Sequence, residues 1–180
     1  MNVNRFKQIS KVGSVLLLIV GLVLLYFLGY ISYQVLIEKS DFWFNFSPGA
    51  FSTHYSRDIS DVNNLQNILR TSASIFTPIR VLVNVYALWK GSRFLKRLSD
   101  GFTPFNMDFS KVIKHIGLLL CITDIILPIL YSLVVSVKLD GAIYISIGVG
   151  STFLIGLILI IVSIIFDYGI ELQHLSDETV

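Results

Sequence analysis

Arg80 and Asp124 are the side chains most at odds with their surroundings in this 180-residue chain. Arg80 lies near the middle of an apolar stretch over residues 71–89, and Asp124 near the middle of another over residues 116–137. A charge at the centre of a bilayer costs about 2.5 to 3.5 kcal/mol on insertion scales, so such groups face a bundle interior and meet a partner. An arginine and a carboxylate can neutralise each other and fix helix register, or they can form a proton or ligand site. Register is the simpler reading. Other chemistry has little to work with. Asp167, Glu171, Asp177 and Glu178 gather near the C-terminus, where paired carboxylates could do acid–base work. Their place in a polar tail instead reads as a solvated acidic surface. Three scattered histidines and Cys121, the single cysteine, give no metal-ligand spacing and no intrachain disulfide. Phosphate-cradling glycine loops, nucleophile elbows and HExxH helices are absent from the sequence. The expectation is a protein without catalytic residues, metal or cofactor.

Helical spacing supports the pairing. Ala73, Thr77, Arg80, Asn84, Ala87 and Gly91 recur at steps of three and four, as do Gly117, Cys121, Asp124, Pro128 and Tyr131, giving two small and polar stripes. Arg80 precedes Lys90 by ten residues and Asp124 follows Lys114 by ten. Antiparallel helices would therefore hold both charges at similar depth, with Asn84 one turn away. Pro78 and Pro128 lie toward the other ends of these helices, and each frees a backbone carbonyl. A kinked and slightly open outer half is expected. Gly148, Thr152 and Gly156 follow the small-xxx-small pattern of close helix packing, whereas Gly13, Gly21 and Gly29 are too widely spaced for a dimer motif.

These residues need a membrane scaffold to hold them. Hydrophobic residues make up 54% of the chain and charged residues 14%, far from the roughly 25% charge of soluble domains. Four stretches can cross a hydrocarbon core of about 30 Å: residues 12–37, 71–89, 116–137 and 142–166. Arg5, Lys7 and Lys11 precede the first as in a signal peptide, but the run is too long and ends without a small-residue cleavage site. It reads as retained. Arg5, Lys7, Lys11, Lys90, Arg93, Lys96, Arg97, Lys111 and Lys114 fall on one side, against Lys39, Arg57, Arg70 and Lys138 on the other. Basic residues in short loops stay in the cytoplasm. The expected fold is an all-α integral membrane four-helix bundle of the cytoplasmic membrane, a single domain with both termini cytoplasmic. It has an outer loop over 38–70, a cytoplasmic loop over 90–115 and a tail over 167–180.

Trp89 marks one interface, and Phe42, Trp43, Phe44 and Phe46 are expected to rest on headgroups at the other. The outer loop reads as a connector on the bilayer. From Asp61 onward Val62, Leu65, Ile68 and Leu69 recur at helical spacing, so the second helix should begin before its apolar run. A net charge of +2 gives no footprint for direct nucleic-acid binding.

Gly101, Pro104-Phe105, Asp108, Lys111, Ile113-Lys114 and Ile116-Gly117 form a segment that resembles the entry to the third helix in bacterial proteins of domain of unknown function 2975. Gly169, Leu172-Gln173, Asp177 and Thr179-Val180 are similar to that family's ending. Leu175 stands where an acidic residue is common and Glu178 where a leucine is common. The resemblance implies four spans in the same places and a partnership with small helix-turn-helix regulators. Lys90, Arg93, Lys96 and Arg97, with Glu171, Gln173 and Asp177, are the candidate cytoplasmic contact surface. The expectation is a non-enzymatic interaction or regulatory protein, its partners being the lipid bilayer and a cytoplasmic regulator. The alternatives are a transporter or channel component using Arg80 and Asp124 as a homo-oligomer, or an immunity-type membrane protein.

Overall fold

The computed structural model of the chain describes residues 3–37, 46, 49, 51–57, 62–100, 107–139 and 143–178. Four long helices dominate: α1 (Val3–Ile37), α2 (Val62–Ser99), α3 (Met107–Lys138) and α4 (Ser151–Glu178). All four are long and apolar enough to cross a membrane, as in a multi-pass membrane protein. Two strands, β1 (Phe51–Arg57) and β2 (Ile143–Val149), form an antiparallel ribbon.

Every helix outruns the apolar stretch that marks it. α1 begins nine residues before position 12, α2 runs from Val62 to Ser99, and α3 starts at Met107. Hydropathy locates the part that lipid can cover, but the flanking Lys, Arg, Asn and Gln residues are no obstacle to helix and simply carry it onward. Most of the expected 90–115 loop is therefore helix, and so is the expected tail as far as Glu178. The start of α2 at Val62 agrees with the periodicity read there, and Ile68 and Leu69 pack on the core.

The fourth expected span is corrected at its start. Residues 143–149 are a strand, and α4 begins only at Ser151. Ile143, Ile145, Ile147 and Val149 alternate outward while Ser146 and Gly148 are buried, the period-two pattern of a half-buried strand. Phe51 pairs with Val149 and Arg57 with Ile143. Serines of α3 hold the other edge of β2. Ser136 Oγ accepts the Tyr144 amide proton at 3.0 Å and donates to the Tyr144 carbonyl at 2.8 Å. Ser132 Oγ accepts the Ser146 amide proton at 2.9 Å, and its one proton is shared between the Pro128 carbonyl at 2.9 Å and the Ser146 carbonyl at 3.0 Å. Two hydroxyls thus do what a neighbouring strand would do for β2.

Helices pack pairwise in chain order. Ser14 meets Ser92, each hydroxyl 2.9 Å from the other's carbonyl, and Gly21 faces Leu88, so α1 and α2 are antiparallel. Phe94 against Phe109 and Phe76 against Tyr131 set α2 antiparallel to α3. Ser110 Oγ donates to Ser163 O at 3.0 Å between α3 and α4. α1 and α4 are not among the closely packed pairs.

Phe46 corrects the reading of the outer loop. Its ring stacks on Tyr131 at 4.6 Å and meets Phe76 edge-on at 6.0 Å, inside a core with Ile31, Ala73, Leu127 and Val135. Phe42, Trp43 and Phe44 lie outside the described residues. The helices pass through Pro78 and Pro128 without a break, and this half of the bundle is filled by Phe46 and the ribbon rather than open.

Candidate functional site

Asp124 is buried on α3, its side chain 1% exposed. Oδ1 lies 2.5 Å from Arg80 Nη2 of α2, the contact expected from the matched stripes. Oδ2 accepts two backbone protons, from Gly150 N at 2.8 Å and Phe153 N at 3.1 Å. The first amides of a helix have no partner within it. The amide of Phe153 in the first turn of α4, and that of Gly150 just before it, take theirs from a carboxylate on a neighbouring helix, whose negative charge also suits the positive end of the helix dipole. Asp124 is therefore a cap delivered from α3, and both its oxygens are occupied.

Small residues make this approach possible. A β-carbon added at Gly150 would lie 2.8 Å from Asp124 Oδ2 and 3.0 Å from Arg80 Nη2. Gly49 sits against the same turn with φ +141°, and a β-carbon there would lie 2.5 Å from Gly150 N. Sequence reading missed Gly49, Gly150 and Phe153. The available signal was the β-branched alternation through residue 149 followed by Gly150-Ser151-Thr152, a strand-to-helix boundary with capping residue types.

Asn84 does not join the ion pair. It lines an apolar cavity of about 610 Å³ with Leu24, Ala87, Leu120 and Thr152. The expected stripe of Gly148, Thr152 and Gly156 is not one helix face, because Gly148 is in β2 opposite Ser52 and Thr152 lines the cavity. Gly156 alone packs on α3, where an added β-carbon would lie 2.7 Å from both Cys121 Sγ and Gly117 O. Cys121 is a packing residue there, its thiol 3.5 Å from Phe153 O.

The basic residues gather at the far end of α2. Arg93 lies 3.8 Å over the Trp89 ring and Lys90 5.6 Å over Tyr86, within the range of cation–π attraction. Lys90, Arg93 and Arg97 line a recess of about 120 Å³ with Phe94, Phe109 and Val112, and Lys96 is exposed beside them. On α4, Glu171 and Gln173 are exposed helical residues, while the Asp177 side chain lies outside those described. Comparison with protein-family models, curated proteins and solved structures finds no match to this chain.

Proposed function

We propose that the protein is a non-enzymatic, membrane-embedded interaction or regulatory protein that couples the bilayer to a cytoplasmic partner. The observation that carries this reading is the contrast between its two polar regions. The central one serves the fold: Asp124 accepts from Arg80, Gly150 and Phe153, so both its oxygens already hold structure in place. The other faces outward, since α4 continues to Glu178 with Tyr168, Glu171, Leu172, Gln173 and Leu175 exposed. A helix with exposed leucines beside acidic and amide groups suits a protein groove. The excess of lysine and arginine at this end supports a cytoplasmic position in the cell membrane. The resemblance to domain of unknown function 2975 supports a small helix-turn-helix regulator as the partner class.

Affinity purification from native membranes in mild detergent tests this, using the full chain and a chain lacking residues 172–180. The full chain recovers a cytoplasmic protein, and the shortened chain inserts but loses it. Equal recovery by both chains, or no cytoplasmic partner with either, overturns the reading.

A transporter reading draws support from one observation, the arrangement of a strand followed by a helix that begins near a charge pair, which resembles the discontinuous spans of secondary transporters. The three hydrogen bonds that Asp124 already accepts weigh against it.

A further inference from the structure

The cavity between the α1–α2 pair and the α3–α4 pair has a chemistry that packing does not explain. Its walls are formed by residues such as Leu17, Leu88, Ile116, Leu159 and Phe166, and among the described residues only Asn84 and Thr152 bring polar side chains into it. Those two lie at one level. Asn84 is a turn beyond Arg80, and Thr152 stands between Gly150 and Phe153, whose amides hold Asp124. Neither side chain has a hydrogen-bond partner among the described residues.

Both residues are only part-buried, but an amide and a hydroxyl that face hydrocarbon with no protein partner are unfavourable. Water could serve this end, but not the rest of the cavity, because the remaining walls offer it no polar partners. From Asn84 to Leu95 the cavity follows α2 for about 16 Å at the helical rise. The shape asks for a long apolar body with one small polar head at the deep end. A charged head is disfavoured, since Arg80 and Asp124 already bond each other and, among the described residues, the cavity lining carries no charge to balance it. Asn84 and Thr152 can each donate and accept, which matches a hydroxyl that does the same.

We propose that this cavity binds one long-chain, uncharged amphiphile, its hydroxyl head hydrogen-bonded to Asn84 and Thr152 and its chain running toward Leu95 and Phe166. Such a ligand points its head inward, opposite to a leaflet lipid on that side. It would enter between α1 and α4, which are not closely packed on each other.

The test uses the full chain in phosphatidylcholine nanodiscs with a tetradecanol carrying a mid-chain diazirine. After illumination, adducts should map to wall residues such as Leu88, Ile116 and Leu159. Unlabelled 1-tetradecanol should compete at about a fivefold lower concentration than tetradecane, the worth of one net hydrogen bond. Combining Asn84→Leu with Thr152→Val should erase that preference, and Leu159→Phe should weaken both competitors by filling the space. Adducts confined to outward residues such as Leu133 and Ile158, equal competition by alcohol and alkane on the unaltered protein, or a preference that survives the double substitution would each overturn the proposal.

Discussion

Asp124 of α3 accepts the amide proton of Gly150 at 2.8 Å, at the point where β2 gives way to α4. One carboxylate therefore neutralises an arginine, caps a helix and fixes the end of a strand. Its neighbours have little room to change.

Gly150→Ala tests how tightly that point is built. Gly150 is not among the positive-φ glycines, so its backbone would accept alanine, and the obstacle is space. The new methyl would meet Asp124 Oδ2 at 2.8 Å and Arg80 Nη2 at 3.0 Å. A loss of about 1 to 3 kcal/mol is expected, typical of overpacking. Gly49→Ala should cost more, because a left-handed φ of 141° adds strain to contacts of 2.5 Å with backbone atoms. Unfolding of the purified protein in detergent measures both. An unchanged midpoint for Gly150→Ala would show that the turn is looser than described.

Asp124→Asn should destabilise the protein by about 3 kcal/mol, as for removal of one member of a buried pair. Combining it with Arg80→Gln should cost less than the two single losses together, the coupling expected of residues in direct contact. Exchanging the charges, with Arg80→Asp and Asp124→Arg, should not rescue stability. An arginine at position 124 would turn donors toward the Gly150 and Phe153 amides, which are donors themselves. Recovery in the exchanged protein would mean that charge balance alone matters there.

The sequence carries the helices and the pair but not the join between them. Arg80 and Asp124 were legible because a charge in an apolar run is rare and because helical spacing converts sequence distance into depth. Residues 142–166 read as one span because hydropathy does not distinguish a buried strand from a helix over a short apolar run. Ile143, Ile145 and Ile147 satisfied that average while alternating at the period of a strand. Phe46 was misplaced for a related reason: aromatic residues suit both an interface and a core, and only the contacts with Phe76 and Tyr131 decide. The Ser14–Ser92 contact left no pattern to read, since it pairs single serines 78 positions apart.

Ser132→Ala and Ser136→Ala test whether α3 closes the edge of β2. Each removes the hydroxyl that accepts one N–H of the strand and donates to one of its C=O groups, a proton that Ser132 shares with Pro128 O. Leaving such groups unbonded away from water costs about 1 to 3 kcal/mol per site. Amide exchange followed by mass spectrometry should quicken at Tyr144 and Ser146 in the respective variants, while the helical amides around Ser110 and Ser163 stay protected. Unchanged exchange at both strand positions would show that the serines do not hold the ribbon.

The proposed orientation makes the last prediction. Arg5, Lys7 and Lys11 belong to α1, and Lys90, Arg93, Lys96 and Arg97 to α2. Because Ser14 packs against Ser92, these two groups lie at the same end of the bundle. α3 brings Lys111 and Lys114 to that end as well, since Phe109 meets Phe94. The asymmetry counted along the chain is thus a charged end in three dimensions, and among the described residues the opposite end carries Arg57, Arg70 and Lys138. Basic residues near span ends are retained in the cytoplasm. In a Cys121→Ser background, single cysteines replacing Ser99 or Ser176 should resist a membrane-impermeant thiol reagent in intact cells and react after permeabilisation. A cysteine replacing Ser56, which is exposed on β1, should react in both conditions. Labelling at position 99 in intact cells, with protection at position 56, would invert the orientation and move the exposed end of α4 away from any cytoplasmic partner.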